Sequence, residues 1–155
     1  EVKTTMHDLK LLLVDDEDRF LKTTQKLLTR IGYDIRIASS GTEALALLAH
    51  HAIHVVVLDV KMPGMDGIAT LKEIKRRFPL VEVIMLTGHA TVDSAIEGLQ
   101  SGATDYLMKP VDPEILIEKA LSAFLKRKHM DEKIRIAKAK KSVPPENNII
   151  QDSGG

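Results

Sequence analysis

Five short apolar runs, each followed by a stretch with helical spacing, leave this chain few folds to choose from. The runs are 9–14, 33–37, 55–58, 81–86 and 104–108. Strict alternation of strand and helix with short connections implies an α/β class. It calls for a parallel sheet, helices on both faces and right-handed crossovers. Run 33–37 alternates apolar and polar residues, so it belongs at a half-exposed sheet edge, whereas Val55 to Leu58 is uninterrupted and belongs in the centre.

The intervening helices are read from spacing and caps. Asp18 is placed to cap the first, with Phe20, Leu27, Leu28 and Ile31 on its inner face and Gly32 as its stop. Ser40 caps a short helix reaching Leu48. A third runs from Gly67 with Ile68, Leu71, Ile74 and Phe78 inward, ending at Pro79. The fourth, from about Thr91 to Gln100, is expected to turn Val92, Ala95, Ile96 and Leu99 inward, and Gly102 closes it. The last starts near Pro113, buries Leu116, Ile117, Ala120, Leu121 and Phe124, and continues into a basic segment.

Polar residues stand where these strands end. Asp15 and Asp16 follow the first run, Asp59 the third, Thr87 the fourth and Lys109 the fifth. Singly, each has an ordinary explanation as a helix cap, strand residue or solvated charge. In a parallel sheet, however, all these ends lie on one edge, where open α/β sheets place their ligands. Three carboxylates together repel one another unless a cation sits among them, and a hard divalent ion such as magnesium (Mg2+) takes oxygen ligands of this kind. Lys109 adds a mobile positive charge and Thr87 a hydroxyl, a set suited to a tetrahedral oxyanion. The expected ligand is a phosphoryl group, with Asp59 as nucleophile forming an acyl phosphate.

Composition narrows the class further. There is no cysteine, so no disulfide framework or thiolate metal site is available. Neither a signal-peptide pattern nor an apolar run of membrane-spanning length is present, and a cytoplasmic location without membrane contact is expected. The formal net charge is zero, but it is unevenly spread. Residues 1–125 hold 14 Lys/Arg against 18 Asp/Glu, and residues 126–141 hold 8 against 2. The expected organisation is one domain over 8–125 and a basic helical extension with a disordered tail over 126–155.

The strand-end motifs resemble the receiver domain of two-component response regulators. Leu13-Val14-Asp15-Asp16-Glu17, Leu58-Asp59-Val60-Lys61-Met62-Pro63-Gly64-Met65-Asp66-Gly67, Leu86-Thr87-Gly88-His89-Ala90 and Asp105-Tyr106-Leu107-Met108-Lys109-Pro110 match its motifs in order and spacing. The resemblance implies a flavodoxin-like (βα)5 three-layer sandwich of strand order 2-1-3-4-5. It also implies that Asp59 accepts a phosphoryl group from the phosphohistidine of a sensor histidine kinase. Asp16, Asp59 and the backbone carbonyl of Lys61 would bind Mg2+, with Asp15 acting mainly through water, and Lys109, joined to Pro110 by a cis peptide, would hold the phosphoryl group. Thr87 and Tyr106 would form the switch. A downstream protein target, or a second copy of the chain, would meet the face of the fourth helix, fifth strand and fifth helix.

Lys61 and His89 flank the path of a hydrolytic water and are candidates for tuning phosphoryl lifetime. Gly88 leaves space beside the acceptor. His50, His51 and His54 are read as surface histidines, because they fall at the sheet edge opposite the acidic cluster. The basic segment lacks interleaved aromatics and a recognition motif, so direct nucleic-acid binding is not expected of it. Two alternatives stand beside a self-contained signalling module that is not an enzyme with its own substrate. One is a receiver fragment of a larger, for example DNA-binding, regulator. The other is a haloacid-dehalogenase-like phosphatase, which needs a second Asp two residues after the nucleophile, where this chain has Lys61.

Overall fold

A computed structural model describes residues 8–60, 66–88 and 92–141. Its elements alternate: β1 (Lys10–Val14), α1 (Asp18–Arg30), β2 (Asp34–Ala38), α2 (Gly41–His50), β3 (Val55–Leu58), α3 (Gly67–Arg77), β4 (Glu82–Thr87), α4 (Val92–Gln100), β5 (Asp105–Met108) and α5 (Pro113–Lys141). The strands form one parallel sheet in the order β2-β1-β3-β4-β5, as the resemblance implies.

The sheet buries both faces, and its residues alternate between two cores. Leu11, Leu13, Val55, Val57, Ile84 and Leu86 meet Leu21 and Leu28 of α1 and Leu116, Ile117, Ala120 and Phe124 of α5. Leu12, Val14, Val56, Leu58, Val83 and Met85 meet Ala44 and Leu48 of α2 and Ile68, Leu71 and Ile74 of α3. Each such aliphatic side chain contributes roughly 1.5–3 kcal/mol on full burial, which is why β3 carries no polar residue and those of β1 and β4 stand at strand ends. β2, at the edge, keeps the alternation read from its sequence. Ser40 accepts a hydrogen bond from the Glu43 N–H and Asp66 from the Ile68 N–H, so α2 and α3 both start at side-chain caps.

Two helices present faces other than those expected. In α1 the cap position falls to Glu17, which makes no capping hydrogen bond with its side chain, and Asp18 is already helical. The buried stripe is Leu21, Thr24 and Leu28, while Leu27 and Ile31 are exposed and Phe20 is half-buried. α4 departs further. Val92, Ile96 and Leu99 face solvent, Ala95 is half-buried, and the buried residue is Gly98. A Cβ on Gly98 would overlap the thioether end of Met85, so the backbone of α4 itself lies against the sheet there. Periodicity located an apolar stripe correctly, but the neighbouring stripe of small residues permits the closer approach.

His50 and His51 are exposed as expected. His54 is not a surface histidine. It is half-buried, its ring lies 4.7 Å from that of Phe124, and its Nδ1 accepts the Lys10 N–H at 3.1 Å. The chain divides into two compact units between Leu125 and Lys126. All the buried residues of α5 lie at or before Phe124. In the second unit, Arg127 pairs with Asp131 and Arg135 with Glu132. No helix among the described residues is long and apolar enough to cross a membrane. Residues 61–65, 89–91 and the tail after Lys141 lie outside the described residues.

Candidate functional site

The sheet ladder continues one residue past each strand, and this delivers the polar groups to one edge. Asp15 donates its N–H to Ala38 O, Asp59 to Val14 O and Lys109 to Thr87 O, all within 3.1 Å. The register pairs Val14 with Leu58, so Asp15 and Asp59 leave adjacent strands side by side. β1 lies between β2 and β3, where the strand order reverses and a crevice opens at the carboxyl ends.

At that point one carboxylate oxygen from each of Asp15, Asp16 and Asp59 lies within 4.8 Å of the others. Asp15 and Asp59 are buried and Asp16 is exposed. Lys109 Nζ stands 2.6 Å from Asp15 Oδ2 and 2.7 Å from Glu17 Oε1, and 4.6 Å from the centroid of the Phe20 ring. The Lys109–Pro110 peptide is cis. Asp15 Oδ1 accepts the Glu17 N–H at 2.9 Å. Its Oδ2, although in ionic contact with Lys109, is buried and receives no well-directed hydrogen bond from the described residues.

The charges respond to these surroundings. Burial pushes the Asp15 carboxyl above its ordinary range, against the opposing pull of Lys109 and the Glu17 N–H. For Lys109, burial acts to lower the pKa, but the close ionic contact with Asp15, the hydrogen bond to Glu17 and the nearby charge of Asp59 outweigh it, and the ammonium is held more firmly charged. The exposed Glu17 carboxyl is lowered by its hydrogen bond to Lys109. A buried, under-bonded carboxylate oxygen beside two more carboxylates is a donor set that fits a hard divalent cation.

Thr87, at the end of β4, is buried. A Cβ on Gly88 would make only ordinary contact with Lys109 Cβ, which leaves the space expected beside the acceptor. Tyr106 packs on the α2/α3 face of the sheet, whereas Leu107 packs on the α1/α5 face. Tyr106 and the buried face of α5 thus belong to opposite faces of the sheet. The Tyr106 hydroxyl is buried without a hydrogen-bond partner among the described residues, and burial raises its pKa.

Asp15, Asp16, Asp59 and Lys109 thus converge, and Thr87 is tied to Lys109 through the backbone. Lys61 and His89, with the metal-binding and lifetime roles expected of them, lie outside the described residues. Two residues of the site escaped sequence reasoning: Glu17, legible only as one more acid in an acidic run, and Phe20, indistinguishable from a core residue.

A doubly wound parallel sheet with an acidic triad and a lysine at its switch point defines a receiver-type protein. The chain belongs to the response regulator receiver domain family, which matches residues 11–121. It is 41% identical over 121 residues to the transcriptional regulatory protein ZraR of Escherichia coli (strain K12), which covers 76% of this chain and 27% of that protein. It is 39% identical over 115 residues to the DNA-binding transcriptional regulator NtrC of Salmonella typhimurium, covering 72% of this chain and 24% of the relative. The chain therefore spans about a quarter of the length of these curated relatives.

Among solved structures, a CheY-like receiver domain protein from Methanospirillum hungatei superposes with a TM-score of 0.75 at 32% identity. The match covers 79% of this chain and 99% of the other. NtrX from Brucella abortus superposes with a TM-score of 0.76 at 32% identity, covering 82% of this chain and 29% of NtrX.

Proposed function

We propose that Asp59 accepts a phosphoryl group from the phosphohistidine of a partner sensor histidine kinase and that the acyl phosphate switches a binding surface. The observation that carries this reading is the convergence of Asp15, Asp16, Asp59 and Lys109 on one sheet edge. An Asp59 carboxylate oxygen attacks phosphorus, the P–N bond to the donor imidazole breaks, and the imidazole leaves with the bonding pair and takes up a proton. Lys109 pairs with the phosphoryl oxygens, and the Thr87 hydroxyl donates to them. Asp16 and Asp59 would hold Mg2+ with the Lys61 carbonyl, Asp15 mainly through water, and the ion would supply charge neutralisation for the transfer. Lys61 and His89 tune how long the acyl phosphate lasts. Apart from promoting its own phosphorylation and dephosphorylation, the chain is not an enzyme.

The output surface is the face of α4, β5 and α5, where Val92, Ile96, Leu99 and Met108 are exposed. Exposed aliphatic groups of that number on one side of a domain suit a protein target or a second copy of the chain. The length of the relatives supports a receiver that works within a larger regulator, in the cytoplasm with its kinase. Incubation with acetyl phosphate and Mg2+, followed by intact-mass spectrometry, tests the reading. One phosphoryl group is expected on the wild type and none on Asp59→Ala; no incorporation, or equal incorporation in the variant, refutes it.

A further inference from the structure

Glu17 occupies the N-cap position of α1, where a side chain ordinarily bonds to the first free N–H groups of its helix, yet it makes no such bond. Its carboxylate reaches instead to Lys109, 92 residues away, at 2.7 Å. The backbone of Glu17 is anchored by its N–H to Asp15 Oδ1 and by its carbonyl, which accepts the Leu21 N–H. The reach toward Lys109 therefore starts from a fixed base.

We infer that Glu17 is a positioning residue that holds the Lys109 ammonium back in the unphosphorylated protein and so limits how readily the site takes up a phosphoryl donor. This inference rests on the phosphoacceptor reading. In the resting structure Lys109 is held by Asp15, by Glu17 and over the ring of Phe20. To meet a phosphoryl group it must give up part of this hold. Of the two carboxylates, Asp15 is buried within the site and Glu17 stands at its rim. The Glu17 side chain is 64% exposed and can be rehydrated as Lys109 leaves. Glu17 is thus the partner surrendered, and the exchange of one exposed carboxylate for the incoming anion is the step it controls.

An exposed ion pair of this kind alters an equilibrium by a factor of up to about five. At saturating Mg2+ and low ionic strength, Glu17→Gln is expected to lower the KM for acetyl phosphate by about two- to fivefold, with little change in the maximal rate. The difference should shrink as salt is added. The control is Asp18→Asn, which removes the same charge one residue away from a carboxylate paired with Lys22 rather than Lys109.

An unchanged KM in Glu17→Gln, or an equal fall in Asp18→Asn, overturns the inference, since the second result is a general field effect. Failure of the wild type itself to take up phosphate would instead sink the phosphoacceptor reading. A normal wild type with no Glu17 effect leaves that reading standing and removes only this one.

Discussion

Replacing Tyr106 by Phe should stabilise the protein. The phenol oxygen is buried and has no hydrogen-bond partner among the described residues. Leaving such a group unsatisfied costs about 1–3 kcal/mol, whereas the ring contributes the same apolar packing in either residue. Unfolding entropy of about 2.1 cal/mol/K per residue, over a folded unit of roughly 120 residues, makes 1 kcal/mol worth about 4 °C in Tm. A gain of about 1–2 kcal/mol therefore corresponds to about 4–8 °C, within easy reach of thermal unfolding followed by circular dichroism at neutral pH.

A second readout uses the ionisation of the same group. Because burial raises the phenol's pKa in the folded state, the folded chain holds this proton longer than the unfolded chain does. Stability is then lost as pH rises above the ordinary tyrosine value of about 10, and the Phe variant should lack that part of the loss. An unchanged or lower Tm for Tyr106→Phe would show that the hydroxyl is satisfied in solution, and the reasoning would fail.

Three further outcomes are expected. Gly67→Ala would drive a Cβ into the backbone of Asp59 and Val60, which cannot swing aside, so a loss of about 1–3 kcal/mol in denaturant unfolding and slower phosphoryl uptake should appear together. Mg2+ should raise Tm, by the equivalent of about 2.7 kcal/mol at a hundredfold excess over Kd, with EDTA reversing the shift and Asp15→Asn abolishing it. Ile96→Asp should leave stability within about 0.5 kcal/mol, because that side chain faces solvent, whereas the inward face read from periodicity would require a loss of several kcal/mol.

Much of the fold was legible in the sequence because strands buried on both faces must be apolar throughout, and Val55 to Leu58 is. The cap Ser40 and the strand-end carboxylates were equally local signals. Helix orientation was less secure. Spacing finds the angle of an apolar stripe about the helix axis, but it does not say which of two stripes meets the sheet. In α4, Gly98 seated on Met85 settled that, and in α1, Leu21 and Thr24 displaced Leu27 and Ile31.

What the chain determined by itself was the alternation of elements and the presence of Asp15, Asp16, Asp59, Thr87 and Lys109 at strand ends, since both depend on residues adjacent in sequence. What only the tertiary structure decided was how those ends meet: the Glu17 and Asp15 contacts of Lys109, the ring of Phe20 beneath it and the stranded hydroxyl of Tyr106. Such contacts join residues far apart along the chain. Sheet register and side-chain reach fix them, and neither is written in any local pattern.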